Sequence, residues 1–362
     1  MHKVEERKII VSKNPFSFSS DLFRYCIEFP SKFNSQPSVR VAVVKHDQNK
    51  DKRDREKARG ELDNPEKARG KNAPPYLTEG VVLGRERFRV NAMIGGGGFG
   101  QIYTATCKHQ PGEVFAVKVE PQTNDARMLL EIKVLEELSN INSRYAPKII
   151  CSGSINNCNY IVMQKLEQNL SEIRKSLPKH RFSLMSTIRI AHQLIDALKD
   201  LHSIGYIHRD VKPSNACPGL GTNSKTIYLI DFGMARRFCH RETGTWFPER
   251  YYAAFRGTVR YASLGVHERL EQGPVDDFWS LYYTLVELAE GELPWRKLSD
   301  NDEICYMKLY CTFKELCPSF PRQFLKFAQV LNETEREEDV DYDELHEILE
   351  VGQIFSFLLY LL

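Results

Sequence analysis

The chain has 362 residues, 42% hydrophobic and 27% charged, with a formal net charge of +2. That is the make-up of a globular protein long enough for one two-lobed domain or two ordinary ones, and it gives no pull toward nucleic acid. Nine cysteines without a C-x-x-C pair argue for reduced thiols, and so for the cytoplasm or nucleus; the start MHKVEERK lacks the apolar stretch of a secretory signal, and no run reaches the ~20 apolar residues that cross a bilayer.

Residues 1–50 hold no chemical motif and read as an extension of unknown structure. Residues 51–80 read as a charged linker, in which Glu56-Lys57-Ala58-Arg59-Gly60 returns as Glu66-Lys67-Ala68-Arg69-Gly70. Six acids among eight bases from Asp51 to Lys71 suit a solvated coil; an arm for nucleic acid would carry one sign. From Phe88 short strand patterns begin, at Phe88–Val90, Gln101–Thr106 and Val114–Val119. A helix follows, with Leu129, Ile132, Leu135 and Leu138 at helical spacing. Two more are predicted, from Ile188 to Leu201 with a stop at Gly205, and from Asp277 to Glu290 with a stop at Gly291. A β-rich segment with one helix, then a mostly helical one to about Leu349, predicts two lobes and a cleft. In the tail 350–362 the apolar run Ile354 to Leu362 is about half the length of a membrane span and reads as a last helical turn on the larger lobe.

Chemistry enters with Gly95-Gly96-Gly97-Gly98-Phe99-Gly100, a G-x-G-x-x-G run whose missing Cβ atoms let backbone N–H groups lie against phosphate. A dinucleotide fold needs a helix directly after it, and a Walker loop needs lysine where Gln101 stands; the alternation of Gln101–Thr106 leaves a hairpin folded over phosphates. Lys118 then sits alone in the apolar strand Phe115-Ala116-Val117-Lys118, where its charge demands an anion; Glu131, on the next helix, supplies one.

The most specific signal is His208-Arg209-Asp210-Val211-Lys212-Pro213-Ser214-Asn215 followed by Asp231-Phe232-Gly233. In-line phosphoryl transfer needs a carboxylate to orient the attacking hydroxyl and accept its proton, a role that fits Asp210. Asn215 and Asp231 offer the oxygen ligands that a hard divalent cation takes, and Lys212 can neutralise charge on the transferred phosphate.

These motifs, over residues 88–349, resemble a eukaryotic protein kinase. The resemblance implies an α+β, two-lobed fold, ATP with Mg2+ (Mn2+ as the alternative), and serine or threonine hydroxyls of proteins as acceptors. It further implies that Ile94, Gly95, Gly97, Gly100, Ile102 and Ala116 surround the nucleotide. Phe255 to Ser263 resembles the casein kinase I group, with Ser263-Leu264-Gly265 where most kinases carry Ala-Pro-Glu; Leu293 to Lys297 and Tyr160 to Gln164 look closer to its tau-tubulin kinase branch. By that likeness Met163 is the gatekeeper, Gln164 to Leu166 form the adenine hinge, Asp277 braces the catalytic loop, Thr258 lines the acceptor site and Arg260 lies in an anion pocket. An excess of arginine between Asp231 and Ser263 suits acidic or phosphorylated substrates. Cys217-Pro218 departs from the pattern, since proline lacks a strand's N–H; the expectation there is a distorted adenine floor, which motivates the alternative of a pseudokinase that binds without turnover.

Overall fold

Along the strand Gln101–Cys107 every second side chain is buried, the period of a sheet with one face on a core. The computed structural model describes residues 75–97, 100–122 and 125–361, the backbone alone for 125, 323 and 352–361. The N-terminal extension and the linker up to residue 74 lie outside the described residues. Six antiparallel strands form the smaller lobe: β1 (Val82–Leu83), β2 (Phe88–Gly96), β3 (Gln101–Cys107), β4 (Gln110–Pro121), β5 (Ile149–Ile155) and β6 (Cys158–Gln164), in the order β1-β2-β3-β4-β6-β5. Phe88, Val90, Tyr103, Val117 and Val162 fill the core of this lobe. The lobe also starts earlier than the predicted linker boundary. Leu77 is buried in it, and the N–H groups of Tyr76 and Leu77 donate to Gln101 Oε1 and the Tyr103 hydroxyl.

Helix α1 (Asp125–Asn140) follows the sheet in sequence, yet its apolar face, Val134, Leu135 and Leu138, joins the core of the other lobe. The predicted stripe needs correction at one end: Leu129 is exposed, and Met128 and Glu131 point inward instead. The inner face is turned because it must carry Glu131 into the cleft.

In the larger lobe, α2 (Leu170–Ser176) leads to α3 (Leu184–Ser203), which is capped by Ser183 and buries Ile188, Ala191, Leu194, Ile195, Leu198 and Leu201 as the spacing predicts. The chain turns at Gly205, where φ is +81°. Two ribbons follow, β7 (Tyr206–Ile207) with β10 (Arg236–Arg237), and β8 (Ala216–Pro218) with β9 (Ile227–Leu229). Then come α4 (Leu264–His267) and α5 (Pro274–Glu290), which is buried almost all round and ends at Gly291 with φ +93°. Four further helices, α6 (Asn301–Tyr310), α7 (Phe313–Leu316), α8 (Gln323–Glu333) and α9 (Tyr342–Leu361), close the lobe. The predicted break between domain and tail at 349/350 falls inside α9, so the tail continues a helix rather than adding a last turn; its side chains beyond Val351 lie outside the described residues. No described helix is long and apolar enough to cross a membrane.

A buried ion pair locks α2 to α5. Arg174 donates to Glu287 Oε1 at 3.0 Å and to the carbonyls of His180 and Gly291, while the Tyr261 hydroxyl donates to the other Glu287 oxygen. Both charged side chains are under 5% exposed. Replacing one partner strands a buried charge, at a cost of about 3–5 kcal/mol, whereas an apolar pair of similar volume is often tolerated. Arg174→Met is therefore expected to lose that much in urea unfolding at neutral pH, and adding Glu287→Gln to recover part of it. A double variant no more stable than Arg174→Met would show that the ion pair does not carry the effect.

Candidate active site

The cleft is organised around one ammonium. Lys118, on β4, reaches Glu131 Oε2 at 2.5 Å, Asp231 Oδ1 at 2.9 Å and Glu120 Oε1 at 3.4 Å. Burial works against its charge, but Glu131, Asp231 and Glu120 outweigh that and hold it protonated, above the ordinary lysine range. Glu131 lies one turn beyond Arg127 on the same face of α1, and Arg127 bridges both oxygens of Asp231, at 3.2 and 3.4 Å. Burial alone would raise the Asp231 carboxyl; Lys118 and Arg127 reverse this and hold it well below the usual carboxylate range. Asp231 itself sits in the left-handed region, φ +66°, a conformation costing on the order of 1–3 kcal/mol that surrounding contacts must sustain.

The second cluster gathers on the loop from His208 to Asn215. Asp210, 4% exposed, accepts from Lys212 Nζ at 2.6 Å, Thr258 Oγ1 at 2.7 Å and Asn215 Nδ2 at 3.2 Å; Lys212 also donates to Thr258 Oγ1 at 2.9 Å. The loop is braced from below. Asp277 accepts from the N–H groups of His208 (2.7 Å) and Arg209 (2.8 Å) and pairs with His202 at 3.0 Å. Burial pushes the Asp277 carboxyl up, but its bonds from His202 and His208 bring it below the ordinary value. Arg209 is left-handed, φ +67°, and its carbonyl lies 2.3 Å from where a Cβ on Gly257 would stand. With φ +102° as well, Gly257 admits no side chain, which lets the Thr258 segment lie against Asp210.

The nucleotide end is equally specific. The β2–β3 hairpin brings Gly95 opposite Ile102, and the Gly97 N–H donates to the Gly100 carbonyl at 2.9 Å; Gly98 and Phe99 between them lie outside the described residues. A Cβ on Gly100 would meet the Val119 carbonyl at 2.5 Å, so the hairpin tip must close on β4, whereas one on Gly97 would face open space. Ala116 pairs with the half-buried Met163 across the sheet, and Gln164 to Leu166 leave β6 toward the larger lobe. The expected distortion at Cys217-Pro218 is absent. Pro218 pairs with Ile227 in register, its carbonyl accepts from Glu167 N–H, and the neighbouring Gly219 N–H, donating to Thr226, continues the ladder past the missing donor.

Asp231 and Asn215 fit a divalent cation: one carboxylate kept ionised and one amide oxygen, with remaining places left for phosphate and water, is the donor set that Mg2+ accepts. With its amide nitrogen donating to the Asp210 carbonyl and carboxylate, the oxygen of Asn215 is the atom suited to the metal. Among the described residues no cluster of three His, Cys, Asp or Glu suits a metal without such help.

Of the predicted residues, Lys118, Glu131 and Asp231 meet in one cluster and Asp210, Lys212, Asn215 and Thr258 in another. Arg260 stands apart, half-buried, its carbonyl accepting from Trp295. The sequence reading missed Arg127, Glu120 and Glu137. Signals for the first two existed: Arg127 is four residues before Glu131 on a helix, and Glu120 two after Lys118 on a strand, so each shares a face with a known site residue.

Residues 88–338 match the protein kinase domain family. Over 265 residues the chain is 41% identical to a protein of Dictyostelium discoideum named as a probable serine/threonine-protein kinase, covering 73% of this chain and 53% of that one. Over 223 residues it is 43% identical to a Caenorhabditis elegans protein named "Putative casein kinase I", covering 60% and 64%. Another protein of that worm, the serine/threonine-protein kinase spe-6, is 30% identical over 270 residues, covering 73% and 71%. The chain thus spans about half to two thirds of the length of the first two. The match covers residues 88–338, and with them both clusters and the glycine hairpin, so the chain belongs to the protein kinase domain family.

Proposed function

We propose that the chain is an ATP-dependent protein serine/threonine kinase of the casein kinase I group, with a tau-tubulin kinase-like affinity inside it. The observation that carries this is the contact set of Asp210, in which a nearly buried carboxylate is held by Lys212, Thr258 and Asn215 at the mouth of the cleft. An acceptor hydroxyl arriving there takes the place of the Thr258 hydroxyl as a donor to Asp210, which orients it and receives its proton. Lys212 stays within reach of the oxygens that gain charge. Lys118, fixed by Glu131, holds the α- and β-phosphates, and the glycine hairpin covers them. Asn215 and Asp231 would hold the divalent metal, Mg2+ or Mn2+, whose contribution is to neutralise charge across the β- and γ-phosphates.

A second reading, a pseudokinase or scaffold that binds nucleotide or partners without turnover, draws on Arg127, which lies on both oxygens of Asp231 where a metal would bind. Arg127 also passes 3.9 Å from Glu120, a fully buried carboxylate whose oxygens accept no hydrogen bond among the described residues and whose nearest cation, Lys118, is 3.4 Å away, so an alternative seat for the guanidinium is close by. Turnover separates the readings. Asp210→Asn and Asp231→Ala are expected to stay folded and to lose at least ~10²-fold in kcat with γ-labelled ATP and a serine peptide, the scale of one preorganised electrostatic contact. Unchanged turnover in both would remove the assignment.

We infer further that acidic or already phosphorylated peptides are preferred. Of the arginines after Asp231, Arg237 and Arg241 pair with Glu137, and Arg236 and Arg250 share Glu271. Arg256 and Arg260 form no ion pair among the described residues, which supports a site for an outside anion. Burial, with Arg236, Arg256 and Arg250 close by, pulls even the Arg209 guanidinium down to about 10, a sign of concentrated positive charge. Charge-assisted bonds of about 1.5–3 kcal/mol translate into a preference of roughly tenfold or more. The kcat/KM of a phosphorylated peptide is accordingly expected to exceed that of its unphosphorylated twin by that factor at low salt, and Arg260→Ala to reduce the gap. Equal values on the parent protein would dismiss the anion site; a gap that Arg260→Ala leaves intact would assign it to another arginine.

A further inference from the structure

The last turns of α1 carry a carboxylate that the catalytic machinery does not use. Glu137 is 8% exposed, and its oxygens accept from Arg237 Nη2 at 3.0 and 3.2 Å and from Arg241 Nη1 at 3.3 Å. Arg237 also donates to the Tyr206 hydroxyl at 3.1 Å and lays its guanidinium 4.5 Å from the centre of that ring. Arg237 belongs to β10, which begins five residues after Asp231; Tyr206 belongs to β7, which pairs with it and runs directly into His208 and Asp210. Glu137 itself is six residues beyond Glu131 on one helix. A single carboxylate therefore ties together the helix that orients Lys118, the segment that leaves Asp231, and the strand that enters the catalytic loop.

In many kinases the corresponding order is imposed by a phosphate on the activation segment, which gathers arginines and fixes the helix that carries the lysine's glutamate. Here two arginines of that segment are already gathered, by an acid supplied from the helix. The polarity of this contact is the reverse of a phosphate's, because the anion is built into α1 and the cations into the segment. Arg237 keeps a quarter of its side chain exposed and Arg241 about half, so both can be rehydrated if the acid is removed, while Glu137 is largely desolvated. The turn that follows is closed by its own backbone, the His240 N–H donating to the Thr245 carbonyl and the Gly244 N–H to that of His240.

We infer that Glu137 is a positioning residue for phosphoryl transfer: a permanent clamp, with Arg237 and Arg241, that couples α1 to the start of the activation segment in the absence of phosphate. The inference rests on the kinase reading for its effect on rate but not for its effect on structure.

The test uses the full chain after phosphatase treatment, as the parent protein, Glu137→Ala, the triple variant Glu137→Ala/Arg237→Ala/Arg241→Ala, and Glu137→Gln as the shape-preserving variant should the alanine change fail to fold. Amide hydrogen exchange is followed in residues 125–140 and 236–247, and kcat and the KM for ATP are measured alongside. The clamp requires faster exchange in both segments together, by about 2- to 30-fold, the range of coupling losses along such networks. It also requires a fall in kcat of similar size, and a triple variant little worse than Glu137→Ala alone, since the three groups act as one unit. Exchange in 236–247 unmoved by loss of Glu137, or losses that simply add, would overturn it. If the parent protein binds ATP but transfers no phosphate, the kinase reading fails while the exchange result still decides the clamp.

Discussion

Lys118 is the constraint from which the arrangement of the cleft follows. A single ammonium taken out of water costs several kcal/mol, and here three carboxylates from three different elements repay it: Glu120 from its own strand, Glu131 from α1 and Asp231 from the segment between the lobes. Three acids around one lysine are in excess; Arg127 offsets one of them, which leaves the cluster one negative charge over. Any movement that withdraws one element leaves a buried charge behind, so the sheet, the helix and the segment that carries Asp231 are positioned jointly. The hydrophobic side of the same device is Phe232, 1% exposed beside Asp231, packed edge-on against the His208 ring at 5.3 Å and sharing a core with Leu135 and Leu138 of α1.

The second cluster depends on backbone that only a tightly braced loop can keep. Arg209 and Asp231 both occupy the left-handed region, and strained residues of this kind gather where geometry is part of the chemistry. Asp277 supplies the brace: a fully buried carboxylate at the start of α5, bonded to two successive N–H groups of the catalytic loop and to His202. The most buried helix of the larger lobe thereby sets the height of Asp210 in the cleft, and Gly257 lets the acceptor-side segment come to meet it.

Much of this was legible in the residues themselves. The strand period, the stops at Gly205 and Gly291, and the chemistry of Lys118, Glu131, Asp210, Asn215 and Asp231 can be read because each depends on local spacing or on a motif whose order is specific. Among the expectations that failed, two have their reason in the local packing. Leu129 continued the apolar stripe of α1, but a helix facing a charged cleft spends part of its inner face on Met128 and Glu131, and period alone cannot say which side the cleft is on. Pro218 suggested a broken strand, yet a two-stranded ribbon leaves alternate N–H groups outside the ladder, and the proline fills such a place. Glu137 was beyond reach from sequence, because its partners lie about 100 residues away and only the pairing of β7 with β10 brings them to it.

On the function proposed above, the two charged clusters serve transfer to an aliphatic hydroxyl. The most direct measurement is phosphoamino-acid analysis after incubating the phosphatase-treated full chain with γ-labelled ATP, Mg2+ and a mixed library of serine, threonine and tyrosine peptides, with nucleotide binding measured in parallel. Label in phosphoserine and phosphothreonine, and not in phosphotyrosine, is the expected result; bound nucleotide with no labelled product, or label confined to phosphotyrosine, would contradict it.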